Sequence, residues 1–574
     1  MARLSLLAAL STACATASAL VPRQAIPDNT TTGAVPTVDL KNGSYHGVYS
    51  SSYGQDIFLG IPYAQPPVAD LRFRPPQPLN SSWSGTRNAT EYSPLCFGYG
   101  SDTWVLGNHV SEDCLTINVV RPHGVAADAK LPVALWIHGG GLTNGGSADP
   151  RYNLSFIVEQ GVRMGTPFVA ASINYRLHAW GFLWSEEVKA DGAGNLGFRD
   201  QRLAMHWVNE NIAAFGGDPD QVTLWSESAG SRSVASQMLA YGGRDDGLYR
   251  AAILQSGTGL GTDFGEVQSS AATMWQDYYA TIVDKTNCTS AASTLDCLRG
   301  VSTWDLSDVL NSTANPSFTG VVDGDFLVAA RHELVNEDRV TRVPLLIGAN
   351  TDEGTQFATK GINTTDQWRA YLASGGANNV TIEVLSALYP DIPRLGTPAT
   401  LEGRPATAGE EYASYGSMWK RVNIFAGDRA QHAPRRFLAR RWAAANQTVY
   451  AYNFNVLVNG MSPPEGVNHF QEVAFVFDNT EGLGYETPVA ENPFDGKPDT
   501  YKELADLMSR MWVAFITKGD PNQHGVSNNV TWPPYDAENP NIIGFDTNVT
   551  SLAHVQPDTY RTEQIEYLIQ KLWS

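Results

Sequence analysis

Apolar runs of strand length recur along the chain, and several end in turns whose residues carry chemistry rather than bulk. Leu131 to Ile137 runs into His138-Gly139-Gly140-Gly141, and Phe168 to Ile173 into Asn174-Tyr175-Arg176. Val222-Thr223-Leu224-Trp225 runs into Ser226-Glu227-Ser228-Ala229-Gly230. Before that run lies an amphipathic stretch, Phe198 to Ala214, with Leu203, Trp207, Val208 and Ile212 near one face at helical spacing. Gly216-Gly217-Asp218-Pro219 stops this helix and turns the chain. Further buried strands are expected at Ala251 to Leu254, Val343 to Ile347 and Val449 to Phe454. Strand-like runs separated by helical stretches are the pattern of βαβ units. The expected fold class is therefore α/β: a large, mostly parallel central sheet flanked by helices.

At 574 residues the usual length prior suggests several domains, but large open sheets also grow by insertion. No Pro/Ser-rich linker divides the chain, so residues 20–574 read as one catalytic domain with insertions. A formal charge of -20 and a pI near 4.9 argue against nucleic acid or an anionic membrane as a partner, since both attract cations.

The first 19 residues read as a secretory signal peptide. Arg3 supplies the positive start, Leu4 to Ala15 the short apolar run, and Ala17-Ser18-Ala19 the small-residue cleavage site. The run is too short for a membrane anchor. About a dozen Asn-x-Ser/Thr sequons accompany it, among them Asn29, Asn42, Asn80, Asn88, Asn153, Asn287, Asn363, Asn446 and Asn548. Of five cysteines, Cys14 leaves with the signal, so four remain, an even number suited to an oxidising compartment. Loop closure favours the short-range pairs Cys96–Cys114 and Cys288–Cys297. The absence of any CxxC spacing argues against a metal site.

Ser226-Glu227-Ser228-Ala229-Gly230 lies between a strand and a helix, as a nucleophile elbow does. There a tight turn lifts the serine hydroxyl above the sheet, and small flanking residues let helix and strands pack. Ser226 stands where that motif expects glycine. The three glycines after His138 can point backbone N–H groups at one spot, as needed to stabilise the oxyanion formed when an ester carbonyl is attacked. His138 itself is read as structural. The serine needs a base and the base an orienting carboxylate. His469 follows a strand and the turn Pro463-Pro464-Glu465-Gly466-Val467-Asn468, and Asp352-Glu353-Gly354 follows another strand. The order serine, acid, histidine is that of α/β-hydrolases. Spacing alone leaves Asp352 and Glu353 as competing acids.

The chain resembles the type-B carboxylesterase/lipase family of the α/β-hydrolase fold over most of its length. The resemblance rests on Gly60-Ile61-Pro62-Tyr63-Ala64 with Leu71-Arg72-Phe73, and on Ser111-Glu112-Asp113-Cys114-Leu115-Thr116-Ile117-Asn118-Val119. It continues through Asn174-Tyr175-Arg176, Gly194-Asn195-Leu196-Gly197 with Asp200-Gln201, and Gln255-Ser256-Gly257. It implies a triad of Ser228, Glu353 and His469, with Gly466-x-x-His469-x-x-Glu472 matching the family's histidine motif. It also implies an oxyanion hole at the amides of Gly140, Gly141 and Ala229, the same two disulfides, and a pocket formed by the insertions.

Besides Ser226, Leu142 departs from the family, which usually has Phe there. A third departure is the loop from Cys96 to Cys114, only 17 residues (97–113) where the resembling fungal lipases carry a long mobile lid. The expected function is hydrolysis of a small-molecule carboxylic ester by a secreted esterase that needs no cofactor. Alternatives are a lipase or sterol esterase acting on long chains, a cholinesterase-like enzyme, and an idle binding module of the same fold.

Overall fold

The structure, a computed structural model, describes residues 35–100, 108–261, 264, 267–314, 316–486, 490–527 and 530–574. The expected signal segment and Asn29 lie outside the described residues, as does the middle of the Cys96–Cys114 loop.

Among the described residues eleven strands form one sheet. Numbered along the chain they are β1 (Val48–Ser50), β2 (Gln55–Pro62), β3 (Thr116–Pro122), β4 (Leu131–Ile137), β5 (Val169–Ile173) and β6 (Gly217–Glu227). They continue with β7 (Ala251–Gln255), β8 (Leu345–Asn350), β9 (Val449–Phe454), β10 (Asn541–Phe545) and β11 (Ala553–Pro557). Across the sheet the order is β11-β10-β9-β8-β7-β6-β4-β5-β3-β2-β1. Neighbours from β5 to β10 run parallel. Antiparallel strands finish both edges. This is the α/β-hydrolase architecture that the sequence leads one to expect.

Alternation along the strands builds two cores. Leu135 and Ile137 of β4 and Leu224 of β6 face one side, and Trp136 and Trp225 the other. Helix α1 (Leu196–Asn211) and helix α2 (Ala229–Leu239) cover the first face. Helix α3 (Ala433–Ala444) joins them there, and helix α4 (Thr500–Lys518) covers the second with Met508, Met511 and Trp512. The amphipathic helix starts two residues earlier than expected, and its last turn, Ile212–Phe215, is 3₁₀. Strand β6 begins at Gly217 rather than Val222, because Gly217 already pairs with Leu131 across a break in register.

Strands β2 and β3 escaped the apolar-run reading because their buried residues include paired polar ones. Asp56 of β2 binds Arg121 of β3, and Asn118 of β3 donates to Ser147 and Ser172. Cys96–Cys114 and Cys288–Cys297 are both joined, with Cα atoms 5.1 and 5.7 Å apart. Among the described residues no helix is long and apolar enough to cross a membrane.

The far edge is fastened by charge. Asp558, just beyond β11, is buried and accepts from Arg435 at 3.0 and 2.6 Å and from Arg436 at 3.0 Å, both on α3, and from Tyr535 at 2.8 Å. Burial pushes this carboxyl up, but the two guanidinium groups outweigh it and hold it below the ordinary carboxylate range. A folded pKa below the unfolded one gives stability that is present above the unfolded value near 3.9 and is lost as pH falls toward the folded value. Asp558→Ala leaves two buried cations uncompensated and is expected to cost ~3–5 kcal/mol at pH 7. The difference between the variant and wild type in urea melts should shrink as pH falls below about 4.

Candidate active site

The parallel strands end in register. Ser226 of β6 pairs with Ile137 of β4, Glu227 with Gln255 of β7, and Gln255 with Gly348 of β8. The residues that follow these ends therefore meet in one place, although they are far apart in sequence.

Ser228 sits between β6 and α2 at φ 57°, ψ −123°. A left-handed conformation is unfavourable for serine, and such strain persists only where the surroundings over-determine it. Here they do. The Ser228 N–H donates to the Gln255 carbonyl at 2.9 Å, and the backbone of Gly230 lies so close to β4 that an added Cβ would stand 2.1 Å from the Ile137 oxygen. Ser226 is fully buried beneath the turn, where its small side chain fits in place of glycine.

The glycine turn faces this serine. Gly140 has φ 91°, and a Cβ there would meet the Asn144 carbonyl at 2.2 Å, so only glycine fits. Among the described residues no protein acceptor takes the amide N–H of Gly140 or Gly141. That of Ala229 belongs to the first turn of α2, where amides have no intrahelical partner. His138 is buried, stacks on Tyr175 at 4.5 Å, and is pushed down to about 4 by burial, so it stays neutral.

His469 Nε2 lies 2.8 Å from Ser228 Oγ, and Nδ1 lies 2.6 Å from Glu353 Oε2. The other Glu353 oxygen accepts from the Asn350 N–H at 2.8 Å and from Ser256 Oγ at 2.5 Å. Asp352, the competing acid, turns away. It accepts from the Val467 N–H and donates its own N–H to the Val467 carbonyl, each at 2.9 Å, strapping down the loop that carries His469.

Three buried acids surround the imidazole. Glu227 Oε1 is 3.1 Å from His469 Nε2, and Glu472 accepts from Asn350 at 2.8 Å and Gln255 at 3.2 Å. Burial holds Glu227 well above the ordinary range, and burial with the nearby Glu353 charge raises Glu472. Burial also pushes Glu353 up, but facing His469 and the hydrogen bonds from His469, Ser256 and Asn350 bring it below the ordinary value. The anion thus settles on the acid with three donors. Burial pushes His469 down, but the facing Glu353 carboxylate and its hydrogen bond to Nδ1 raise it above the ordinary imidazole value.

Ser256, Gln255, Glu227 and Glu472 are the participants that sequence reasoning passed over as to role. All four fall inside motifs quoted above, but their function depends on partners as far as 217 residues away. Among the described residues no group of three or more His, Cys, Asp or Glu side chains is arranged to hold a metal ion.

Comparison with known proteins gives the chain its family. A family model described as "Carboxylesterase family" matches residues 34–567. Lipase 4 of Diutina rugosa is 35% identical over 545 residues, covering 88% of this chain and 90% of that protein. Secreted lipase 1 of Botryotinia fuckeliana is 31% identical over 575 residues, covering 94% and 93%. The crystal structure of Aspergillus niger EstA superposes with a TM-score of 0.77 at 26% identity, covering 94% of this chain and 99% of that one.

The His469 imidazole is expected to titrate above 6.5 when followed by NMR, and Glu353→Gln should bring its pKa down by one unit or more, ~1.4 kcal/mol of lost interaction. A wild-type value at or below 6.5 would contradict the electrostatics described here.

Proposed function

The chain belongs to the carboxylesterase family and is a carboxylic ester hydrolase, and from that premise we propose that it is a secreted serine esterase working through Ser228, His469 and Glu353. The observation that carries this reading is the unbroken line from Ser228 Oγ through His469 to Glu353, at 2.8 and 2.6 Å, near amides with no protein acceptor among the described residues.

His469 Nε2 takes the Ser228 proton as Oγ attacks the ester carbonyl, and the carbonyl oxygen becomes an oxyanion. The amides of Gly140, Gly141 and Ala229 donate to it. Glu353 accepts from Nδ1–H, fixing the tautomer and stabilising the imidazolium without taking its proton. His469 then gives its proton to the departing alcohol. A water, deprotonated by the same nitrogen, releases the acid and regenerates Ser228. His469 must be neutral to begin, so activity falls on the acid side of its pKa.

Ser228 is only half-buried and Gly141 is exposed, while Glu353 behind them is sealed. With the short loop between Cys96 and Cys114, this supports a site open to dissolved esters, hence a carboxylesterase. A lipase is the second reading, favoured by the names of the relatives at 31–35% identity. Export through a cleaved segment 1–19, leaving 20–574 as one catalytic unit, suits the sequons at Asn80, Asn88, Asn287 and Asn446, all exposed, and the relative named as secreted.

Initial rates on p-nitrophenyl esters from acetyl to palmitoyl, with Ser228→Ala as the blank, test both points. The mutant should lose at least ~10⁴-fold in kcat, and short chains should dominate. A jump in rate as a long-chain ester passes its solubility limit would replace the esterase reading with the lipase one. A Ser228→Ala protein as active as wild type would remove the triad.

A further inference from the structure

Ser228 immediately precedes helix α2, and an arginine follows one turn later. The Arg232 N–H donates to the Ser228 carbonyl at 3.0 Å, so the two residues stand one above the other, about 6 Å apart along the helix axis. Side chains on a helix lean toward its N-terminus, which sends the Arg232 side chain back over the turn of the nucleophile. The carboxyl groups whose charges reach its guanidinium are those of Glu227 and Glu353, which flank His469 at 3.1 and 2.6 Å. The cation therefore lies beside the candidate triad, yet it pairs with neither acid.

A second arginine stands next to it. Arg331, the first residue of helix α5 (Arg331–Asn336), reaches α2 through a 3.4 Å contact from Nε to Ser236 Oγ, one further turn along the same face. The Ser236 hydroxyl in turn donates to the Arg232 carbonyl at 2.8 Å. Burial and the like charge of Arg232 pull Arg331 down to about 10, which leaves it a cation at pH 7. Among the described residues neither guanidinium has an ion pair, and the Ser236 contact is the only side-chain hydrogen bond that either makes. Both residues are half-buried, so part of each still meets solvent. By contrast, Arg199 and Arg202 on neighbouring α1 are engaged by Asp323 at 3.0 Å and Asp246 at 2.6 Å. Two like charges held together away from bulk water are costly unless an anion joins them. In a chain of formal charge -20, no shortage of acids explains why none does.

We propose that Arg232 and Arg331 form an anion-binding subsite, and that the ester favoured by this protein carries a carboxylate a few atoms from the bond that is cut. This rests on Ser228 as nucleophile, because the helical turn between Ser228 and Arg232 sets that spacing. A guanidinium presents a planar fork of donors matched to a carboxylate, and charge-assisted bonds of this kind are the strong ones. The preferred substrates are then monoesters of short dicarboxylic acids, or esters of short hydroxy acids, rather than uncharged esters. A site that pairs a charged group discriminates strongly against an analogue that leaves it unpaired.

The test reads a ratio of kcat/KM values, carboxylate over uncharged, within each protein, so that general changes in activity cancel. Monomethyl glutarate against methyl 5-methylhexanoate, in which an isopropyl group replaces the carboxylate, puts the charge on the acyl side. The pair 4-acetoxybutanoate and 4-methylpentyl acetate puts it on the alcohol side. In wild type at least one ratio should be about ten or more. In Arg232→Met and in Arg331→Met, which keep side-chain length and remove an unpaired charge that folding does not need, it should fall toward one. Arg232→Lys keeps the cation and should hold the ratio above that of Arg232→Met. Wild-type ratios near or below one, a ratio retained in either methionine variant, or equal ratios for Arg232→Lys and Arg232→Met overturn the proposal while hydrolysis of p-nitrophenyl butyrate continues. Absence of that hydrolysis as well would mean that the reading of Ser228 has failed.

Discussion

The backbone of Gly230 passes the end of β4 at a distance that admits no side chain, since a Cβ would stand 2.1 Å from the Ile137 oxygen. That close approach presses the start of α2 against the strand feeding the glycine turn. Two consequences follow from the same contact. The chain between β6 and α2 has no room for a relaxed turn, so Ser228 is held at φ 57° with its hydroxyl raised above the sheet. The glycine turn is also brought against the serine, since a Cβ on Gly139 would stand 3.1 Å from the Ser228 Cβ. In the proposed mechanism, nucleophile and oxyanion donors are thus positioned by packing of main chain on main chain.

Electrostatics adds the polarity of the array. Three carboxyls lie buried around one imidazole, and placing several charges there would be costly. Donor count decides among them. Glu353 receives Asn350 N–H, Ser256 Oγ–H and His469 Nδ1–H, whereas Glu227 lies beside His469 Nε2 and Glu472 has two side-chain amides. The negative charge therefore rests on the side of the ring away from Ser228. That is the arrangement the proposed proton transfer from the serine to Nε2 requires.

Much of this was legible in the sequence, for identifiable reasons. The six central strands β4 to β9 are buried on both faces, so their apolar runs stand out, and β9 matches its expected span, Val449–Phe454. The elbow remained legible despite Ser226, because a strand before and a helix after supply the context that the missing glycine removes. Strands β2 and β3 were harder to read. Asp56, Asn118 and Arg121 look like surface residues until their cross-strand partners are known. Asp352 and Glu353 differ by one position, and what separates them is which way each faces from the turn after β8.

We propose that this packing makes Ser228 the hydroxyl that attacks the ester. Incubation of the intact, folded chain with a p-nitrophenyl alkylphosphonate, followed by peptide mass mapping, tests it directly. The nucleophile displaces p-nitrophenolate and keeps the phosphonyl group, so the adduct marks the attacking atom. One equivalent of p-nitrophenolate per chain, one phosphonyl group on Ser228, and no labelling after His469→Ala is the predicted result. A label on another residue, or an unlabelled Ser228 in folded protein, would contradict it.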